Sequence, residues 1–282
     1  LAPAKTAESG IAAISYGADA VYIGPEKFSA RAAAGNPVRD IEKLAAYAHR
    51  YKSRVYAALN TILLESELEQ ARTLIYDLYS AGIDALIIQD MGILEMDLPP
   101  VPLHASTQAE NSDIERIKFL CEAGFKRIVL ARELSIEQIR AIRDCVKCEL
   151  EFFIHGALCV SYSGNCYMSA ASGGRSANRG ECAQPCRKEW TLTDKSGRVI
   201  SPGHLLSTKD LNHTANIPEL LNAGIDSFKI EGRLKDIHYV KNITAHYRQV
   251  IDRLLEDSSG IRRSSSGTGI FDFNPDPERT FN

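Results

Sequence analysis

Four short passages of this 282-residue chain share one pattern, which constrains the fold more than any other feature. They are YGADAVYIG (16–24), AGIDALIIQD (81–90), AGFKRIVLAR (123–132) and AGIDSFKIEG (223–232). Each places a glycine that can end a helix in the left-handed conformation shortly before a nearly continuous apolar run. This order is typical of the junction between a helix and a buried parallel strand. Its repetition predicts a parallel sheet with helices on the outside.

The segments between these junctions show the spacing of amphipathic helices, with apolar residues three and four positions apart. They are TAESGIAAIS (6–15), VRDIEKLAAYAHRY (38–51), SELEQARTLIYDLYSA (66–81), SDIERIKFLCEA (112–123), SIEQIRAIRD (135–144) and LKDIHYVKNITAHYRQVIDRLLED (234–257). Ser66 and Ser135 stand where N-cap residues are expected.

Four further apolar runs bring the number of predicted strands to eight. They are LAPA (1–4), RVYAALN (54–60), VPLHAST (101–107) and ELEFFIHG (149–156). Strands and helices alternating in this number predict an α/β protein with a TIM-like (β/α)8 barrel, and a doubly wound open sheet is the alternative. We expect the barrel to occupy residues 1–257. Residues 258–282 are expected to be a Ser/Gly-rich linker and the start of a C-terminal region absent from this sequence.

The composition is that of an ordinary soluble globular protein, with 44% hydrophobic and 24% charged residues. A net charge of -3 argues against a generally basic surface, although it leaves room for a local basic patch. No apolar run is long enough for a membrane helix and no charged-then-apolar leader opens the chain, so the expected location is cytoplasmic. Seven cysteines, an odd number, favour reduced or metal-bound thiols over a disulfide framework.

Residues 157–216 form a long Cys-rich insertion after the seventh predicted strand, where barrel enzymes place functional loops. Within it, only WTLTD and GRVIS look like strands, and four cysteines lie close together in sequence. These are Cys159, Cys166, Cys182 and Cys186. One helical turn would point the last two sulfurs the same way. The spacing favours a metal site over buried thiols and slightly favours an iron-sulfur cluster over zinc.

The other cysteine arrangements are weaker candidates. Cys159 follows His155 by four residues, but a thiolate nucleophile would not explain the three cysteines gathered around it. Cys145 and Cys148 form a CxxC at the opposite end of the predicted strand from the insertion, so we interpret both as structural, together with Cys121. Gly156 and Gly164 would let the backbone bend around a bound cluster.

The sequence resembles a known family in several motifs that together span nearly the whole chain. The motifs are ELEFFIHGALCVSYSGNCYMS (149–169), SANRGECAQPCR (176–187), LLSTKDL (205–211), SFKIEGRLKD (227–236), LAPAK, GADAVYIG and LHASTQ. They are similar to the collagenase-like peptidases of unassigned catalytic type, peptidase family U32. The resemblance is nearest to the branch that makes 5-hydroxycytidine in 23S rRNA, and next to the branch that hydroxylates the tRNA wobble uridine.

The resemblance implies a TIM-like barrel in which Cys159, Cys166, Cys182 and Cys186 hold a [4Fe-4S] cluster. It also implies oxygen-independent hydroxylation of a pyrimidine in RNA, with prephenate as the hydroxyl donor. The alternatives are a collagenase-like peptidase and a tRNA hydroxylation factor. The sequence contains neither HExxH nor GxSxG, so no familiar peptidase motif supports the family's name.

Candidate catalytic residues lie mostly at the predicted strand ends, where barrel active sites form. They are Arg132, Glu151, His155, Lys229, Glu231 and Arg233. Neighbouring strand ends add Asn60, Gln89, Asp90, His104, Ser106, Thr107, Gln108 and Glu133. A dicarboxylate such as prephenate would bind to the cations Arg132, Lys229 and Arg233.

For each candidate the alternative is a purely structural role. Arg132 would then pair with Glu133 and Lys229 with Glu231, while Glu151 would be the buried partner of a cation. His104 and His155 would be ordinary structural histidines. The insertion also contains a basic patch that either steers a phosphate backbone or is simply solvated. It comprises Arg175, Arg179, Arg187 and Lys188.

Overall fold

The computed structural model describes residues 1–30, 35–256 and 262–279. Among the described residues the central sheet has ten strands, of which two short ones, Gly35–Asn36 and Leu211–Asn212, each pair with a barrel strand. The other eight are parallel and form the barrel. They are β1 (Ala2–Ala4), β2 (Ala20–Pro25), β3 (Arg54–Leu59), β4 (Ala85–Ile88), β5 (Leu103–Ala105), β6 (Arg127–Val129), β7 (Glu149–Gly156) and β8 (Ser227–Ile230). The amide of Ile230 donates to the carbonyl oxygen of Leu1 at 3.0 Å, which brings β8 beside β1. The sheet is a nearly closed TIM-like barrel, so the doubly wound alternative is wrong.

The helices lie where the amphipathic spacing predicts them. In the described residues they are α1 (Ala7–Ser15), α2 (Val38–His49), α3 (Leu68–Ser80), α4 (Ile114–Glu122), α5 (Ile136–Cys145), α6 (Met168–Gly173), α7 (Ile217–Asn222) and α8 (Ile237–Glu256). The short helices α6 and α7 were not predicted, because six residues are fewer than two turns and carry little periodicity. None of the described helices is both long and apolar enough to cross a membrane.

One of the two predicted N-caps is confirmed. The hydroxyl of Ser135 accepts from the amide of Gln138 at 3.3 Å and begins α5. The prediction for Ser66 is wrong, because this residue lies inside a 3-10 turn, Glu65–Glu67, that precedes α3. The carboxylate of Glu67 accepts from the amide of Leu64 instead, so an acid at the end of this turn satisfies the backbone donor.

Two layers of side chains stabilise the barrel. The larger apolar layer lies between the strands and helices, where residues such as Ile23, Leu86 and Tyr239 are fully buried. A smaller cluster fills part of the lumen and includes Tyr22 and Tyr56. Both faces of each strand are therefore buried, which explains why the strands appear in the sequence as continuous apolar runs.

The chain between β7 and α7 has little regular structure. Its two strand-like passages form an antiparallel hairpin, Trp190–Thr193 with Val199–Gly203. Gly156 and Gly164 have φ values of +104° and +83°, a left-handed conformation that favours glycine. That this bend surrounds a cluster stays a prediction. Cys182 and Cys186 do not share a helical turn, because Gln184 between them is left-handed, with φ of +52°.

The last described residues return to the barrel. The hydroxyl of Ser265 donates to Asp19 at 2.6 Å, and the rings of Phe271 and Tyr16 stack with their centroids 5.8 Å apart. The predicted start of the linker, at residue 258, lies outside the described residues. The division of the chain at that point therefore stays a prediction.

Two of the cysteines form a disulfide, which corrects the expectation that all the thiols are reduced or metal-bound. Cys121 of α4 is bonded to Cys148, the residue before β7. Their Cα atoms are 5.9 Å apart, within the normal range for a disulfide. Cys145 is exposed and free, so the CxxC motif is not itself a pair. The bond joins α4 to the start of β7, at the opposite end of that strand from the Cys-rich insertion.

We expect five free thiols in the chain purified without reductant and then denatured in chelator. Alkylation followed by mass spectrometry should mark five of the seven cysteines and leave Cys121 and Cys148 linked in one peptide. A Cys145→Ser control should lower the number of marked cysteines to four and keep the link. Seven marked cysteines would contradict the disulfide.

Candidate functional site

A polar pocket opens at the carboxyl ends of the strands. Its lining comes from nearly every part of the barrel and includes Tyr22, Ala30, Ala58, Asn60, Ile87, Ser106, Thr107, Gln108, Arg132, Phe153, Lys229, Glu231 and Arg233. Four of the six predicted catalytic residues lie in this lining: Arg132, Lys229, Glu231 and Arg233. The two that do not are Glu151 and His155. The predicted cations therefore meet at one place, as strand ends in a barrel should.

Lys229 forms the floor of the pocket and is 4% exposed. Its ammonium donates to the carboxylate of Glu151 at 2.9 Å and lies 4.6 Å from the ring centroid of Tyr22. Burial lowers the pKa of Lys229, and the negative charge of Glu151 opposes that shift. Lys229 is therefore held in place by the carboxylate beneath it. The alternative pairing with Glu231, two residues along the strand, is not the ion pair that forms.

Glu151 lies in the lumen below the pocket and is completely buried. One carboxylate oxygen faces Lys229, while the other accepts from Arg127 at 3.0 Å and from Ser227 at 2.8 Å. Burial by itself would raise the pKa of this carboxyl group, but the charges of Lys229 and Arg127 hold it well below its usual range. Glu151 is therefore ionised at neutral pH, and the geometry fits the predicted buried partner of a cation.

Arg132 and Glu133 separate instead of pairing. The guanidinium of Arg132 lies over the ring of Phe153, 5.4 Å from its centroid, and no described carboxylate forms an ion pair with it. Glu133 turns the other way and accepts from the amide and hydroxyl of Ser163 at 2.8 and 3.1 Å. Arg132 thus presents its charge to the pocket, and Glu133 fixes the Cys-rich insertion to the rim.

Arg233 binds the wall of the pocket. Its guanidinium donates to the hydroxyl of Ser29 at 2.7 Å and lies 5.6 Å from the centroid of the Tyr22 ring. Asn60 supports the same wall, because its side chain accepts from the amide of Ala30 and donates to the hydroxyl of Ser106. These contacts fix the lining before any ligand arrives.

The structure corrects the expected position of His155. Its Nδ1 lies 3.2 Å from the hydroxyl of Tyr247 in α8, and its ring also packs on Tyr239. Burial lowers the pKa of His155 to about 4, so the ring is neutral at physiological pH. His104 lies in the lumen against Tyr56, and burial lowers its pKa to about 3. Both histidines are neutral core residues outside the pocket lining.

The four cysteines of the insertion are free and partly buried. Burial raises the pKa of the Cys186 thiol, and charge on Cys159 raises it further, as do smaller effects of Cys182 and Cys166. The other three thiols of the insertion therefore lie within electrostatic reach of Cys186. The hydroxyl of Ser169 lies 3.9 Å from the sulfur of Cys182, a distance that suits a weak hydrogen bond to sulfur.

A zinc ion and an iron-sulfur cluster would require different arrangements of these thiols. Zinc requires four ligands at about 2.3 Å from one centre. Among the described residues, no group of three or more His, Cys, Asp or Glu side chains lies close enough to hold one metal ion. An iron-sulfur cube accepts one thiolate at each of its four irons.

Two arginines of the predicted basic patch have structural partners. Arg179 forms a bidentate ion pair with Glu67 at 2.8 and 2.9 Å, and Arg187 donates to the carbonyl oxygens of Leu158 and Thr208. Arg179 therefore holds the insertion against the turn before α3, whereas Arg187 joins two parts of the insertion to each other. Arg175 and Lys188 remain exposed.

Sequence reasoning did not identify three side chains that shape the site: Tyr22, Phe153 and Arg127. Tyr22 and Phe153 lie inside apolar runs whose two faces are both buried, so no alternation marks the face that lines the lumen. Arg127 lies in the AGFKRIVLAR passage. A charged residue inside a predicted buried strand requires a partner of opposite charge, and this requirement could have identified Arg127 as a residue of the site.

The chain is similar to several known proteins. The family model described as peptidase family U32 matches residues 5–270. The 23S rRNA 5-hydroxycytidine C2501 synthase of Escherichia coli K12 is 56% identical over 282 residues, which are the whole of this chain and 43% of the synthase. The tRNA hydroxylation protein P1 of Bacillus subtilis is 37% identical over 268 residues, covering 91% of this chain and 64% of that protein.

A third relative is named for peptidase activity and not for RNA hydroxylation. The collagenase of Porphyromonas gingivalis is 34% identical over 269 residues, covering 89% of this chain and 65% of that protein. The chain thus spans less than half of the synthase and about two thirds of the other two relatives.

We expect Glu151→Ala to destabilise the protein by about 3–5 kcal/mol, because it leaves Lys229 and Arg127 buried without their shared carboxylate. Glu149→Ala is the matched control. It removes the partly exposed acid that also binds Arg127, 2.6 Å away, and should cost only about 1 kcal/mol. Urea denaturation at pH 7 measures both.

The pH dependence of the conservative variant Glu151→Gln provides a further check. The pKa of Glu151 is lower in the folded chain than its ordinary value of 4.5, so its contribution is complete above pH 4.5 and is lost as the pH falls towards the folded value. The stability gap between wild type and Glu151→Gln should therefore narrow as the solution is acidified below pH 4.5. A gap that is constant with pH would show that the carboxylate charge does not matter.

Proposed function

Because the chain belongs to peptidase family U32, we propose that it forms the barrel of an enzyme that hydroxylates a pyrimidine in RNA. The product would be 5-hydroxycytidine in 23S rRNA. The observation that carries the proposal is the 56% identity to the 5-hydroxycytidine synthase over the whole of this chain. The tRNA hydroxylation proteins are less similar, so a wobble-uridine substrate is the second candidate.

The pocket has the chemistry to bind a small anionic co-substrate. Arg132, Lys229 and Arg233 line it together, and guanidinium groups match carboxylates through paired hydrogen bonds. Prephenate, the proposed hydroxyl donor, carries two carboxylates. Arg132 would bind one of them with the charge it presents to the pocket, and Lys229 would donate a hydrogen bond from the floor. Glu151 keeps the Lys229 ammonium in position for that contact.

The four cysteines of the insertion are the proposed ligands of a [4Fe-4S] cluster. Four free, partly buried thiols, three of which lie within electrostatic reach of Cys186, form the four-thiolate donor set that such a cluster uses. The cluster would supply electron transfer or a binding position for substrate. The chain's own contribution is to hold these ligands at the pocket rim through the Glu133 contacts with Ser163.

The pocket gives the peptidase alternative little support. A serine or cysteine nucleophile needs a base within hydrogen-bond reach. The described lining contains Ser106 and Thr107 but neither histidine nor cysteine. The hydroxyl of Ser106 is already engaged, since it accepts from Asn60 at 3.2 Å and from the amide of Gln108 at 3.2 Å.

We expect the anaerobically purified chain to contain about four iron and four sulfide ions per protomer. Single Cys→Ala changes at the four proposed ligands should each reduce the iron content, whereas Cys145→Ala should not. Iron and sulfide assays and metal analysis by mass spectrometry measure this. One zinc per chain, or no metal, would contradict the cluster.

Hydroxylation itself can be tested in cells. Deleting the gene should remove 5-hydroxycytidine from 23S rRNA, as measured by nucleoside mass spectrometry. The full-length protein should restore it, and its Lys229→Met variant should reduce it at least tenfold, because the pocket loses its floor donor. A Lys43→Met control changes an exposed lysine of α2 that pairs with Asp40 and should restore the product fully. Persistence of all hydroxylated nucleosides, in rRNA and tRNA, after deletion would contradict the proposal.

A further inference from the structure

Two tyrosines beside the cysteines are far more exposed than most aromatic side chains. Tyr162 is 71% and Tyr167 is 67% exposed. They lie in one short segment with Cys166, and the amide of Asn165 donates to the carbonyl oxygen of Tyr162 to close the turn between them. Isolated exposed apolar residues are common on protein surfaces. Two aromatic rings on a turn next to a candidate site require further explanation.

This turn is held rigidly against the pocket rim. Ser163, next to Tyr162, is 1% exposed and donates twice to Glu133. Gly164 lies so close to Gln108 that a Cβ atom there would come within 2.1 Å of the Gln108 carbonyl oxygen. Gln108 lines the pocket. The backbone that carries both rings is therefore fixed at the edge of the pocket, although the rings themselves face solvent.

The chain around the rings carries few charged side chains. The stretch from Ala157 to Gly180 contains two arginines, Arg175 and Arg179, and neither aspartate nor glutamate, although the whole chain has a net charge of -3. Arg179 is neutralised by Glu67, but Arg175 is exposed. The carboxylate of Glu133 also binds Ser163 beside Tyr162, so the segment has little net charge. Exposed aromatic rings bind unpaired bases through stacking, which does not require a strongly basic surface.

We propose that Tyr162 and Tyr167 form a stacking platform for unpaired RNA bases that flank the nucleotide entering the pocket. This inference rests on the proposed function and specifies how the RNA is held. A pyrimidine inside a duplex cannot reach a pocket in a barrel mouth, so the target must be unpaired or extruded. Unstacking exposes the faces of its neighbours, and aromatic side chains commonly cover such faces.

The test measures binding of the whole chain to a fluorescein-labelled single-stranded 12-nucleotide oligocytidylate, by anisotropy at low salt. Tyr162→Ala and Tyr167→Ala should each weaken affinity by about tenfold. Tyr162→Phe and Tyr167→Phe should bind like wild type, because stacking needs the ring and not the hydroxyl. Tyr79→Ala is the matched control, since it removes a 40% exposed tyrosine of α3 and should leave binding unchanged. A duplex of the same length should bind more weakly and respond little to the Ala changes.

Several outcomes would overturn the platform: no binding by wild type, unchanged affinity in both Ala variants, equal losses with the duplex, or loss in the Phe variants. Circular dichroism of each variant shows that the fold is retained. The cellular hydroxycytidine assay separates this inference from the proposed function. If the Ala variants bind RNA normally while the product forms, only the platform fails. If wild type makes no product but the Ala variants lose RNA binding, only the proposed function fails.

Discussion

The site depends on one buried carboxylate, that of Glu151. Removing a charge from water into the lumen is costly, and only close partners of opposite charge offset that cost. Lys229 and Arg127 approach the two carboxylate oxygens at 2.9 and 3.0 Å, and Ser227 donates a further hydrogen bond. Three strands, β6, β7 and β8, therefore contribute to a single network. Their relative register could not shift without breaking it.

The same network determines what the pocket offers to a ligand. The charge of Lys229 is already balanced by Glu151, so Lys229 acts mainly as an oriented hydrogen-bond donor at the floor. Arg132 differs, because its guanidinium rests on Phe153 and has no described acidic partner. An entering anion would therefore interact first with Arg132. Lys229 and Arg132 differ in this way because Glu133 turns outward to bind Ser163 and does not pair with Arg132. The charge of Arg132 therefore faces the pocket.

Much of the fold was predictable from the sequence, because helix and strand spacing are local properties. The strands and the six long helices were predicted, whereas α6 and α7 were too short to show a period. Partners in the lumen were not predictable in the same way. Lys229 lies two residues from Glu231 in the sequence, yet its ion pair is with Glu151, 78 positions away. Closure of the barrel creates that contact, and no local pattern contains it.

The position of the Cys-rich insertion was likewise not predictable from local sequence patterns. Its contacts indicate how the site is completed. Its cysteine count pointed to a ligand set, but its position depends on contacts with distant loops: Arg179 with Glu67, Ser163 with Glu133, and Gly164 against Gln108. Two of these contacts involve backbone or small side chains that carry no obvious functional signal in a sequence. They nevertheless fix the segment between Cys159 and Cys166 to the rim of the pocket, at Glu133 and Gln108. The barrel supplies a rigid floor, and the insertion supplies the part of the site that a large substrate would meet first.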